Sequence, residues 1–470
     1  MDNENMVSFQ PYYLTALDHL LMPAYVHVFL SFQIENHTLG ISTLENSISG
    51  LISEWPFLAG NITRSSTRQL NSHILEVQPP SAFNLHESPL LQVKFHQGKL
   101  ADIPLARRLP EGFVPVETTT PTPYPTPALR FQANVMANGL VLCVSWHHRF
   151  MDAVGCTTVL DSLAQLCQGK DKSKVRFQTS SQEQEAMRAR LTTFRTSEIN
   201  VKSYYGAYSP SGYRYRNDQA SRNYTLCPKR VECLKAMCNA LASSSNRSSD
   251  PPLTSDDIVT ALLWICCGRA HCQGSKSGVS SELQSWSLTR YVNVRKNLLP
   301  SLPSNYLGNA ILVSRLHCSV HELDLGGMNM PTPNQRFEVS TPTLSCFRQL
   351  ARRVRSANDS IDSEHVKGII AHVNSLGNWD SFVISSADMS VSSMRRLPLY
   401  NLSFGPVFGR PVDIEILDAS LQGQCVIKPA RGRGIDIPWE IRIALPEEVH
   451  KRLEEDYFFA WARGVDRPRL

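Results

Sequence analysis

Leu140-Val141-Leu142-Cys143-Val144-Ser145-Trp146-His147-His148-Arg149-Phe150-Met151-Asp152-Ala153-Val154-Gly155 runs from an unbroken apolar stretch into a helical pattern. The apolar stretch predicts a buried strand. That strand delivers His148 to a turn, and Asp152 follows four residues later. Histidine is the side chain best suited to move a proton near neutral pH. A carboxylate at this spacing fixes either the imidazole ring or the local backbone. His147 falls on the other side of the strand and is expected to point away. Of the 14 histidines, only His148 has an Asp four positions on.

Working outward, a strand is expected over 130–147 and a helix from about Met151 to Cys167. Upstream, Leu44 to Ile52 has helical apolar spacing and stops at Trp55-Pro56. Leu58-Ala59-Gly60-Asn61-Ile62 reads as a turn into a strand, and the Pro- and Thr-rich segment 101–127 as a loop. Downstream, 168–225 is polar with one possible helix at 181–195. A helix near 228–243 and a Ser-rich loop follow. Thr254-Ser255-Asp256-Asp257 then caps an apolar helix: a hydroxyl accepts from free N–H groups, and the acids favour the positive end of the helix. Alternating strand patterns recur near 285–295, 309–316, 381–386, 412–417 and 423–427. Residues 324–343 read as a loop, and a last helix is expected over 447–463. Mixed strands and helices with long loops predict an α/β protein.

At 470 residues the chain is long for a single core and reads as two domains. Hydrophobic content of 42% and charged content of 19% are those of a soluble globular protein. A net charge of +5, with scattered basic residues, offers no polybasic face to nucleic acid or to an anionic membrane. The start of the chain is acidic, and the apolar stretch from Leu20 to Phe32 is short and interrupted by Pro23 and His27. Neither a signal peptide nor a transmembrane helix is read, so a cytoplasmic location is expected. The 12 cysteines form no CxxC pair and read as reduced thiols rather than metal ligands. GxSxG, GxGxxG and Walker A sequences are absent.

Five further segments carry a resemblance. They are Leu14-Thr15-Ala16-Leu17-Asp18; Trp55-Pro56-Phe57-Leu58-Ala59-Gly60; Leu253 through Trp264; Val294-Arg295-Lys296-Asn297-Leu298-Leu299-Pro300 with Tyr306-Leu307-Gly308-Asn309; and Ser392 through Gly405. With the His148–Asp152 motif, and in this order, the chain resembles the BAHD acyltransferases, in particular the fungal branch that acylates secondary metabolites, such as the trichothecene acetyltransferases. The order spans nearly the whole chain and is far more specific than any single motif.

The resemblance implies two chloramphenicol-acetyltransferase-like α/β domains with a solvent channel between them. The division is expected at 1–195, a connector at 196–225 and a second domain at 226–470, with a segment crossing between domains near 385–410. It implies acyl-CoA, most simply acetyl-CoA, as co-substrate, and transfer to a hydroxyl of a fungal natural product. His148 would be the general base, with no covalent acyl-enzyme and no metal. It further implies that Asp152 turns away from the site and pairs with Arg295, and that Ser255, Asn309 and Ser393 border the CoA channel. Arg395-Arg396 reads either as a phosphate contact or as a solvated pair. A monomer with a small-molecule alcohol as its partner is expected.

The sequence departs from the family at Ser403, which replaces the Asp of "DFGWG". Pro406 to Gly409 replaces that motif's Trp-Gly, Met394 the Trp of "SW", and Ala153 a Gly. These departures keep alternatives open: a carrier-bound thioester as donor, an elimination or cyclisation, or binding without transfer.

Overall fold

The computed structural model describes residues 7–465 apart from 66–72, 104–111, 117–121, 170–174, 176, 195–204, 208–218, 244–250, 274–284, 299, 326–338 and 418–422. Much of the 101–127 and 324–343 loops, and of the expected connector, lies outside the described residues.

Two mixed sheets organise the described chain. The first has the order Asp413–Leu417, Tyr25–Phe32, Gly139–His147, Leu129–Met136, Leu91–Phe95. Its two central strands are apolar and fully buried. Helices His37–Glu54 and Ala153–Cys167 pack on the face that carries Val28, Leu30, Leu142 and Val144. The second has the order Gln219–Leu226, Trp439–Pro446, Gln424–Ile427, Met389–Ser393, Ser285–Asn293, Ile311–Ser319. Strand Met389–Ser393 runs parallel to both of its neighbours.

Alternation explains what each face of the second sheet does. Leu288, Met389, Val391, Cys425 and Ile427 face a core built with the helix Ser255–Cys272 and the helix Thr341–Asp359. The intervening Thr289, Tyr291, Ser390, Ser392, Gln424 and Val426 are left on the other face, where they line a cavity. The helix Ser255–Cys272 begins at a capping box: Thr254 accepts from the Asp257 N–H, and the Asp257 carboxylate accepts from the Thr254 N–H.

Strand Asp413–Leu417 comes from the C-terminal half of the chain yet pairs with Tyr25–Phe32 of the first sheet. Residues 219–225 of the expected connector lie within an edge strand of the second sheet, paired with Trp439–Pro446. Two readings of single elements are corrected. The strand expected over 130–147 is a hairpin, Leu129–Met136 and Gly139–His147, turned at Ala137-Asn138, where Asn138-Gly139 is the local turn signal. The helix expected over 447–463 is two, Glu447–Glu455 and Tyr457–Ala462. Between them Asp456 adopts extended backbone, caps the second helix and pairs with Arg269.

The helix after Asp152 approaches the 306–310 segment at Gly155. A Cβ on Gly155 would stand 2.1 Å from the Leu307 carbonyl oxygen. Gly155→Ala is therefore expected to destabilise the fold by about 1–3 kcal/mol, as overpacking does. Gly377→Ala, where a Cβ meets open space, should stay within about 0.5 kcal/mol of wild type. Denaturant unfolding of both variants checks the contrast.

Candidate active site

His148 leaves the end of strand Gly139–His147 in a turn fixed at both of its backbone groups. Its N–H donates to the Ala24 carbonyl at 2.8 Å. Its carbonyl accepts from Asn309 Nδ2 at 2.9 Å. The imidazole lines the cavity bounded by the inner face of the second sheet. Burial lowers its pKa from the ordinary histidine value, while the local backbone and the Asp152 charge pull the other way. His147 is fully buried and packs edge-on to Tyr25.

Asp152 is the N-cap of the helix Ala153–Cys167 and is fully buried. Its carboxylate accepts from the Val154 N–H at 3.0 Å and the Gly155 N–H at 2.9 Å. It also accepts from the Ala310 N–H at 3.0 Å. Arg295 grips it bidentately, Nη1 to Oδ2 at 2.8 Å and Nη2 to Oδ1 at 2.9 Å. Five donors therefore converge on one carboxylate, which is what a buried charge requires. Arg295 Nη2 donates in addition to the Tyr306 and Gly308 carbonyls, both at 2.9 Å. Asp152 and Arg295 thus tie the turn that carries His148 to the 306–310 segment.

Asn309, expected at the CoA channel, is fully buried and lines neither cavity described here. It is a clamp. Besides the His148 carbonyl, its Nδ2 reaches Asp18 Oδ1 at 2.8 Å, and its N–H reaches the same oxygen at 2.9 Å. Burial raises the Asp18 pKa to about 6 against the opposing pull of Asn309 and Thr15. Ser255, expected beside it, donates through Oγ to Glu232 at 2.6 Å, and its neighbours Thr254 and Asp256 line the wall of a second cavity. Ser393 does line the wall and donates to Asp256 at 2.7 Å.

A second cavity adjoins the first. The two share Ala153, Tyr291, Ile311, Ser392 and Met394. Among the described residues the His148 cavity is lined by no Asp, Glu, Lys or Arg. The second is net positive: Arg290, Arg295, Lys296, Arg355 and Arg396 line it against Asp152, Asp256 and Asp257, and Arg295 and Arg355 are paired with Asp152 and Asp257. Arg290 is paired with Asp256; Lys296 and Arg396 have no ion-pair partner among the described residues. Arg395 is spent elsewhere, donating to the Pro438 and Ile437 carbonyls and lying over Trp439. A polyanionic chain suits the second cavity, and a neutral molecule the first.

The divergent segment 403–409 lines neither cavity. Phe404 and Phe408 pack on Phe32, and Gln168 donates to the Ser403 carbonyl. Gly405, at φ 78°, lies so close to the end of the helix Ala153–Cys167 that a Cβ would sit 2.5 Å from the Cys167 carbonyl oxygen. The loop braces the far end of that helix. The residues missed from sequence are Asp18, Thr289, Tyr291 and Ser392. The alternation of the strands at 285–293 and 389–393 could have marked the last three.

The sequence model of the Transferase family matches residues 100–459, and that of the trichothecene 3-O-acetyltransferase-like N-terminal domain matches 24–167. Fumigaclavine B O-acetyltransferase of Aspergillus fumigatus is 30% identical, covering 98% of this chain and 99% of its own. An O-acetyltransferase of Aspergillus campestris is 30% identical over 98% of this chain and 97% of its own. Among solved structures, F. sporotrichioides TRI101 in complex with coenzyme A and T-2 superposes with a TM-score of 0.74 at 18% identity, covering 97% of this chain and 99% of that one. The fold is therefore the two-domain BAHD fold.

Asn309 carries a prediction. Asn309→Ala leaves a buried carboxylate short of donors and should cost about 1–3 kcal/mol. Asn309→Asp sets a second carboxylate against Asp18 and should cost more at pH about 7.5. The folded-state pKa of Asp18 is raised, so the stability this group confers is held in acid and lost as pH rises from about 4 to about 6. The excess cost of Asn309→Asp over Asn309→Ala should shrink at pH about 5, where the two carboxyls share a proton. Denaturant unfolding at both pH values checks this.

Proposed function

The chain belongs to the Transferase family of BAHD acyltransferases, and from that premise we propose that it transfers an acyl group, acetyl by the names of its relatives, from acyl-CoA to a hydroxyl of a fungal natural product, with His148 as general base. The chain is an acyltransferase; the donor, the base and the acceptor are the proposal. The observation that supports it best is the position of His148, in a neutral cavity that joins a cationic one at Ala153, Tyr291, Ile311, Ser392 and Met394.

In this reading the pantetheine and phosphates of CoA enter by the cationic cavity, with Lys296, Arg396 and Ser393 along the way. The acceptor lies in the neutral one. Neutral imidazole at His148 takes the hydroxyl proton as oxygen attacks the thioester carbonyl. A tetrahedral intermediate forms, the C–S bond breaks, and imidazolium returns the proton to the departing thiolate sulfur. Such a base contributes roughly 10²–10⁴-fold. No side chain is acylated. Asp152 and Arg295 act as scaffold: every Asp152 oxygen is spent on the helix N-terminus, Ala310 and Arg295, leaving nothing aimed at the ring. We further take the chain to divide at 1–195, a connector at 196–218 and a second domain at 219–470 from which Asp413–Leu417 crosses to the first sheet, and to act as a cytoplasmic monomer. Among the described residues no helix is long and apolar enough to cross a membrane, and no cluster of three or more His, Cys, Asp or Glu could hold a metal ion.

Incubation with acetyl-CoA and a fungal metabolite extract, followed by free thiol and product mass, tests the reading. Thiol release should need an extract component and should fall about 10²–10⁴-fold in His148→Ala. Because burial lowers the His148 pKa, the neutral base is already present at pH 7. kcat/KM should rise from acid with an apparent pKa below about 6.5 and stay flat to pH about 8. A limb centred above pH 7, or an acylated enzyme in the mass spectrum, would contradict it.

A further inference from the structure

One hydroxyl on the wall of the His148 cavity is constrained in a way that its neighbours are not. Thr289 is 2% exposed and lines this cavity but not the cationic one. Its position in strand Ser285–Asn293 is set by alternation: Leu288 packs into the helix-covered core, so Thr289 faces the other way. Beside it on the same face Arg315, its cross-strand partner in Ile311–Ser319, donates twice to Thr289 Oγ1, from Nε at 3.0 Å and from Nη2 at 2.9 Å. The same guanidinium donates to Ser385 Oγ at 3.0 Å and to the Ser385 carbonyl.

A threonine hydroxyl has two lone pairs and one hydrogen. Arg315 approaches Oγ1 from one side through two N–H groups, which biases the hydroxyl toward donating its own hydrogen. That hydrogen has no acceptor among the described residues. The hydroxyl is polarised by the charge beside it, on the wall of a cavity lined by no Asp, Glu, Lys or Arg among the described residues. Two nearby aromatic donors do not compete for a ligand oxygen: Trp146 Nε1 is spent on the Met151 carbonyl, and the Tyr25 hydroxyl is bonded to Thr126 and Pro127. A buried donor of this kind costs free energy until an acceptor meets it.

We propose that Thr289, set by Arg315, recognises a second oxygen on the acceptor molecule, and that this acceptor is a neutral, largely apolar alcohol carrying a carbonyl or ether oxygen away from the hydroxyl that is acylated. The proposal rests on the reading of the His148 cavity as the acceptor site. A role on the thioester oxygen is the competing assignment, and it would appear as a loss of kcat with the binding preference unchanged.

The test reads binding and so does not depend on transfer. Matched pairs of neutral fused-ring alcohols, with and without a ring ketone (epiandrosterone and its deoxo analogue among them), are titrated calorimetrically into the full chain without acyl-CoA. Wild type should favour the ketone-bearing member of at least one pair by about three- to tenfold, the range of one neutral hydrogen bond. Thr289→Val, and Thr289→Ala as a second removal of the hydroxyl, should bring that ratio toward one; Thr289→Ser should keep it. Equal affinities in every wild-type pair, binding of no member, or a preference that survives Thr289→Val overturns the proposal. So does a Thr289→Val enzyme whose kcat falls equally for both members while the binding ratio holds, since that marks a role on the thioester. Failure of the transferase reading looks different: the binding preference persists, yet no thiol is released with any alcohol.

Discussion

The bidentate contact between Arg295 and Asp152 is the constraint on which the rest of the site depends. Both side chains are buried. Such a pair does not stabilise a fold simply by attraction, because taking two ions out of water costs several kcal/mol each. What offsets the cost is the number of hydrogen bonds around it: two N–H groups of a helix N-terminus, the Ala310 N–H, and the carbonyls of Tyr306 and Gly308. None of these groups could move far without stranding a charge. The pair therefore sets register. It fixes where the helix Ala153–Cys167 begins, and so where the His148 turn must lie relative to the end of strand Ser285–Asn293.

Asn309 and Asp18 repeat that logic one layer away. Asn309 holds the His148 carbonyl with the same amide that serves Asp18, so the backbone of the proposed base is gripped by a side chain from the far half of the sequence. The crossover strand Asp413–Leu417 adds a third tie. Glu415, in the first sheet, meets Lys428 just beyond a strand of the second at 2.6 Å, both buried. A cavity whose walls come from two sheets keeps its shape only if the sheets are locked together. These buried polar contacts do that with a directionality that apolar packing lacks.

Much of this was legible in the residues, and the exceptions have physical causes. His148 and Asp152 stood out because a buried strand ending in a polar turn is a strong local pattern. Arg295 as a partner for Asp152 came only with the family resemblance, since nothing local joins residues 143 positions apart. The hairpin turn between Met136 and Gly139 was marked only by Asn138-Gly139, a short signal inside a long strand-like run. Ser255 and Asn309 were placed on the channel by motif position; burial makes Asn309 a clamp, and Ser255 is bonded to Glu232 next to residues of the wall. The altered segment 403–409 looked like a departure in chemistry; it braces the end of a helix and touches neither cavity. Thr289 was marked by no more than the alternation of its own strand. Its meaning depends on which strand lies beside it, and pairing is a tertiary fact.

The claim at the centre of this account is that Asp152 acts as a scaffold and not as a proton relay. The most direct measurement is the stability of Asp152→Asn together with its kcat/KM against pH. The expected result is a loss of about 3–5 kcal/mol, because Arg295 is left buried without its charge partner, with turnover retained in the enzyme that remains folded and an acid limb moved only downward, since the Asp152 charge that raises the His148 pKa is gone. A fully stable Asp152→Asn protein that has lost nearly all turnover would contradict it.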